Sequence, residues 1–140
     1  MITHTHSDHI GSLGSLVMYS FYVLHAPLNI ILPSGAKHLA NIEQILKGFG
    51  CTKVMYNYVN EQKFDNKFKT FLYIRYIETD HCDELKCYGL LFNTLDGIVY
   101  YSGDTREMNN IKTIIDSKQK IDKLYVDTTT SNYPGNVVIR

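Results

Sequence analysis

Leu13, Leu16, Val17, Phe21 and Leu24 recur at helical spacing, and Met18, Tyr22 and Val23 leave the remaining faces mostly apolar. This pattern predicts a helix buried on most sides and ended by Pro27. Asn29 to Leu32, running into Pro33-Ser34-Gly35, predicts a short buried strand that enters a turn. Leu39, Ile42, Ile45, Leu46 and Phe49 form the stripe of a second helix, with Gly48 and Gly50 as stop signals. Lys53 to Val59 predicts another strand, and the mixed-charge stretch Asn60 to Lys69 a solvated connection. Thr70 to Ile77 is aromatic and β-branched, and Cys87 to Phe92 predicts a hairpin with Ile98 to Tyr101 around Asp96-Gly97. Met108, Ile111, Ile114 and Ile115 mark a third helix and Leu124-Tyr125-Val126 a last strand, followed by a tail from Thr128 without clear periodicity. Strands alternating with helices, without repeats or a linker, predict one layered α/β (α+β) domain spanning residues 1–140.

Composition narrows the classes. The chain has 140 residues, 44% of them apolar, which is enough for a core and argues against disorder. Fourteen basic and fourteen acidic residues give zero net charge, which argues against a protein built to blanket a nucleic-acid backbone but leaves a local nucleic-acid contact open. Between residues 106 and 123 five basic side chains face three acidic ones, an excess that reads as a solvated helix face. Asp8 to Lys37 contains no charged residue in between, yet Gly11, Gly14, His25 and Pro27 interrupt it, so no membrane span is expected. Cys51, Cys82 and Cys87 are odd in number and form no CxxC pair, which fits reduced thiols in a cytoplasmic protein.

The sharpest chemistry stands at the start of the chain, in Thr3-His4-Thr5-His6-Ser7-Asp8-His9. In an extended segment His4 and His6 project to one side, because side chains alternate with a period of two. Asp8 and His9 follow where the chain must change direction into the Leu13 helix, and so can face a second ion beside the first. Imidazole and carboxylate together suit zinc, iron or manganese. The competing reading is a His-rich terminus or tag that binds metal adventitiously; tags are usually uninterrupted His runs, whereas this pattern holds a fixed acid and runs straight into an apolar helix.

This His-x-His-x-Asp-His element resembles the signature of the metallo-β-lactamase fold hydrolases. The resemblance continues at His81 in Thr79-Asp80-His81-Cys82, ahead of a hairpin, and at Asp104 in Ser102-Gly103-Asp104-Thr105. With Tyr125-Val126-Asp127-Thr128, these features look most like the branch containing tRNA 3′-processing endonucleases and related phosphodiesterases, although no basic tRNA-gripping arm lies between His9 and His81. The resemblance implies a partial αββα sandwich in which His4, His6 and His81 bind a first metal, Asp8 and His9 a second, and Asp104 bridges both. It implies one or two Zn2+ per chain, with Mn or Fe as alternatives, hydrolysis of a phosphodiester or other ester by metal-bound hydroxide, and Asp8 as the catalytic residue that orients it or takes its proton. A small-molecule or nucleotide-type ester is the implied substrate.

Two departures from the pattern carry expectations of their own. No histidine follows His81, where the family places a further second-site ligand, and only Met1-Ile2-Thr3 precede His4, where the family has an N-terminal sheet. An incomplete copy of the fold follows, and with it close to one tightly held metal, weak hydrolysis, and apolar surface covered by a homo-oligomer or complementing chain. The alternative is a non-catalytic truncated remnant that keeps a metal site for binding or assembly. His25 and His38 read as helix-end or surface residues, Cys82 as a packed thiol, and tyrosines such as Tyr19, Tyr22, Tyr73, Tyr100 and Tyr101 as core.

Overall fold

A computed structural model describes residues 1–61, 71–116, 120–130 and 137–138. The chain divides into two compact units, Met1–Lys63 and Phe64–Arg140.

In the first unit a one-turn helix α1 (Ser7–Ile10) leads into α2 (Leu13–Tyr22), strand β1 (Leu28–Leu32), helix α3 (Ala36–Gly48) and strand β2 (Tyr56–Asn60). β1 and β2 pair in parallel, as strands joined by a crossover helix do. Val17, Ile30, Ile42, Leu46 and Met55 share the core with Ile2, whose N–H donates to Ile31 O at 3.2 Å. That bond lays the start of the chain beside β1 and carries it directly into the histidine motif.

Two expectations change here, and a third falls mostly outside the described residues. α2 buries one face only: Leu13, Gly14, Val17 and Ser20 are inside, whereas Leu16, Tyr19 and Tyr22 are exposed, as are Val23 and Leu24 just beyond. Buried positions spaced by one, three and four residues trace a single stripe, and apolar residues elsewhere on the helix do not widen it. The strand expected from Lys53 begins at Tyr56 instead, because Lys53–Met55 forms a 3₁₀ turn in which the Met55 N–H donates to Thr52 O. The connection expected over Asn60 to Lys69 falls, from residue 62 on, outside the described residues.

In the second unit β3 (Phe71–Thr79), β4 (Cys87–Thr94), β5 (Gly97–Tyr101) and β6 (Lys123–Tyr125) form a four-stranded sheet in sequence order, with α4 (Asn109–Asp116) between β5 and β6. β4 is antiparallel to both neighbours, while β5 and β6 are parallel. β3, β5 and β6 therefore run the same way, and their carboxyl ends share one edge of the sheet. Leu91, Tyr100, Ile111 and Ile114 centre the core, so α4 buries Ile111 and Ile114 of the stripe its spacing predicted, with Met108 packed beside them. Of the tyrosines expected inside, Tyr100 is fully buried and Tyr73 half-buried, but Tyr19, Tyr22 and Tyr101 are exposed. β6 is not the last strand: Thr128–Thr129 (β7) and Val137–Val138 (β8) make a short parallel pair. Two-residue strands are too short to show a period, so the tail gave no signal.

No helix among the described residues is long and apolar enough to cross a membrane.

Candidate metal centre

In the first unit the histidine motif folds back on itself. His6 is extended, with φ −64° and ψ 150°, and α1 begins at the next residue. The N–H groups of His9 and Ile10 both donate to His6 O, at 3.1 and 3.2 Å. This tight turn returns His9 to the start of the motif. The rings of His4 and His9 stand 4.1 Å apart between centroids, and those of His4 and His6 4.6 Å. His4 is buried, its Nε2 lies 3.0 Å from His6 Nδ1, and its Nδ1 lies 3.2 Å from the Thr3 hydroxyl. Thr3 also approaches His9 Nδ1, at 3.5 Å. On α1 the exposed Asp8 carboxylate stands 3.5 Å from His9 Nε2.

In the second unit the candidate ligands follow the carboxyl ends of β3 and β5, where open α/β sheets gather ligand-binding loops. His81 Nε2 and Asp104 Oδ2 are 3.5 Å apart, both side chains mostly enclosed. Gly103 makes the approach to Asp104 through a positive φ of 59°, a conformation open to glycine at little cost. The buried Ser102 fastens β5 to β6: its N–H donates to Tyr125 O and its hydroxyl oxygen accepts the Asp127 N–H, each at 2.9 Å.

The turns after β3 and β5 are also laced together. The Thr79 hydroxyl donates to Asp104 O at 3.2 Å and the Arg106 N–H to Asp80 O at 2.8 Å. The Arg106 guanidinium donates to Asp80 Oδ1 from Nε at 2.9 Å and to Asp83 Oδ1 from Nη2 at 2.7 Å. Hydrogen bonds to Asp80 and then Asp83 raise the Arg106 pKa above its ordinary value. Cys82 packs its sulfur 3.8 Å from that of Cys87, in line with a packed thiol. Burial, followed by the hydrogen bond with Cys82, pushes the Cys87 thiol up to about 12. His25 is exposed and His38 partly so, as expected outside the motif.

The donor set suits a divalent transition metal. Two atoms that bind one tetrahedral zinc at about 2.0–2.1 Å stand about 3.3 Å apart. The 3.0 Å between His4 and His6 nitrogens and the 3.5 Å between His81 and Asp104 bracket that spacing. The side chains able to hold a metal are thus His4, His6, Asp8 and His9 in the first unit, and His81 and Asp104 in the second. Sequence reasoning named all six. It did not single out Thr3, beside His4 and His9, nor Thr79, Ser102 or Arg106, whose partners are known only once the strands are aligned.

Comparison with known proteins bears on the fold and the family. The crystal structure of the metallo-β-lactamase fold protein YhfI from Bacillus subtilis matches with a TM-score of 0.64 at 20% sequence identity, covering 97% of this chain and 54% of that one. The chain thus spans about half the length of that neighbour and has the metallo-β-lactamase fold. No curated protein matches it. Residues 1–138 match the family described as anti-Pycsar protein Apyc1, and the chain belongs to that family.

Proposed function

We propose that this protein is a metal-dependent phosphodiesterase that opens the ring of a cyclic nucleotide. The family's anti-Pycsar description supports a cyclic-nucleotide-degrading role, and the phosphodiesterase-type branch of the fold is part of the same reading. The observation that carries it is the His81–Asp104 pair, held 3.5 Å apart at the ends of β3 and β5, in a chain whose His6 and His9 imidazoles cluster around His4.

In this reading His4, His6, Asp8 and His9 of the first unit and His81 and Asp104 of the second are the metal ligands. Zinc is the cation the donor set suits best, with manganese or iron as alternatives. Bound divalent cations would lower the pKa of water and offset the negative charge of the phosphoryl group. The buried His4 and the turn at α1 fix the imidazoles before substrate arrives, so little reorganisation is left for the reaction. Asp8, 74% exposed at its side chain and beside His9, is the carboxylate to which this reading gives the task of orienting the attacking water and taking its proton. Water attack at phosphorus breaks one ring P–O ester bond, and the departing oxygen is protonated to give a nucleoside monophosphate. Positive charge from cations also reconciles an anionic substrate with a chain of zero net charge.

The test is turnover of purine and pyrimidine cyclic nucleotide monophosphates in the presence of zinc or manganese. Asp104→Ala and His81→Ala are expected to lower kcat/KM by at least roughly 100-fold. Turnover that survives both substitutions would contradict the proposal. A second reading is a metal-binding protein without turnover. Metal retention with no product from any cyclic nucleotide or activated phosphodiester would favour it.

A further inference from the structure

We propose that Arg106 is a positioning residue for the His81–Asp104 pair: it locks the turn after β3 onto the turn after β5, so that the two ligand atoms stay at ion-binding separation. This rests on the metal reading above, and it assigns a task to a side chain that is not itself a ligand.

Arg106 lies two residues beyond Asp104, in the same turn. Its guanidinium grips the other turn on both sides of His81, at Asp80 before it and Asp83 after it. Nη2 also lies 2.8 Å from Asp80 Oδ1, so the fork meets that carboxylate with two nitrogens. The main chain follows the same path: the Arg106 N–H donates to Asp80 O at 2.8 Å. These bonds join segments about two dozen residues apart in sequence at the point where each presents a ligand. A planar, delocalised fork suits the task, because it holds two acceptors in fixed directions where an ammonium would act as a single point charge.

Two other roles for Arg106 predict different behaviour. As an ordinary surface ion pair it would add little to stability and nothing to metal binding. As a charge near the site it would repel a cation, so its removal alone would tighten metal binding. Positioning predicts the opposite sign. Without the guanidinium, His81 and Asp104 lose their fixed spacing and the metal is held less tightly, even though the site has become more negative.

The experiment is a zinc titration of the chelator-stripped protein against a competing chromophoric chelator. Wild type, Arg106→Ala, Arg106→Lys and Lys86→Ala are compared, with melting curves of the metal-free forms alongside. Lys86→Ala is the control: it breaks an exposed ion pair with Glu78 on the same hairpin that does not reach the Asp104 turn. Arg106→Ala is expected to bind zinc about 10–100-fold more weakly, with metal-free melting unchanged. Arg106→Lys should recover part of the loss, and Lys86→Ala should match wild type. Unchanged or tighter binding by Arg106→Ala, or an equal loss in Lys86→Ala, would overturn the positioning role while leaving the metal reading intact. Zinc binding absent from wild type would overturn the metal reading and this role with it.

Discussion

Tyr100 buries a phenolic hydroxyl that has no hydrogen-bond partner among the described residues. Its oxygen also crowds Gly89, where an added Cβ would stand 2.5 Å from it. An unsatisfied buried polar group costs about 1–3 kcal/mol. Tyr100→Phe keeps the ring in the core and removes the cost, so chemical denaturation should find it as stable as wild type or up to about 1 kcal/mol more stable. Burial pushes the Tyr100 phenol up to about 12 from an ordinary 10.0. A group whose folded pKa is raised stabilises the fold below its unfolded pKa and loses that contribution as pH rises through the folded one. Stability should therefore fall between pH 10.0 and about 12, and fall less steeply in Tyr100→Phe. A clear loss of stability in the variant at neutral pH would show that the hydroxyl is satisfied. The histidine motif was legible at this scale because its candidate ligands are neighbours in sequence and the strand period of two is a local property. Arg106 was not, because its meaning depends on Asp80 and Asp83, which become its neighbours only when β3 and β5 are side by side.

Among the elements, the β4–β5 hairpin was predicted from Asp96-Gly97, and the structure adds why glycine is needed there. Gly97 has φ +124°, and a Cβ on it would lie 2.5 Å from Asp122 Oδ2. That same oxygen accepts the Ile98 N–H at 2.9 Å, while the Asp122 N–H donates to Ile98 O at 2.8 Å. The turn thus carries both the hairpin and the approach to β6. Gly97→Ala should cost about 1–3 kcal/mol by urea denaturation, and a change within about 0.5 kcal/mol would contradict this account of the turn. Elements with a long, one-sided stripe, such as α3 and α4, were readable from periodicity. α2 was misjudged because an apolar sequence does not say which of its faces finds a partner, and Leu16, Tyr19 and Tyr22 remain exposed. The 3₁₀ turn at Lys53–Met55 and strands β7 and β8 are too short to leave a period.

For the whole molecule, the family and the fold agree with the motif reading: the residues that first pointed to a metal are those that two separate cores hold in place. In the first unit β1 and the turn at α1 bring the imidazoles of His4, His6 and His9 together. In the second, a common strand direction brings His81 to Asp104. The central claim is that these side chains hold a catalytic-type metal, and elemental analysis of the mildly purified protein and of its His4→Ala and His81→Ala variants tests it most directly. About one tightly bound zinc or manganese per wild-type chain is expected, with most of it lost in each variant. A wild-type chain free of metal, or variants that keep the full amount, would contradict it.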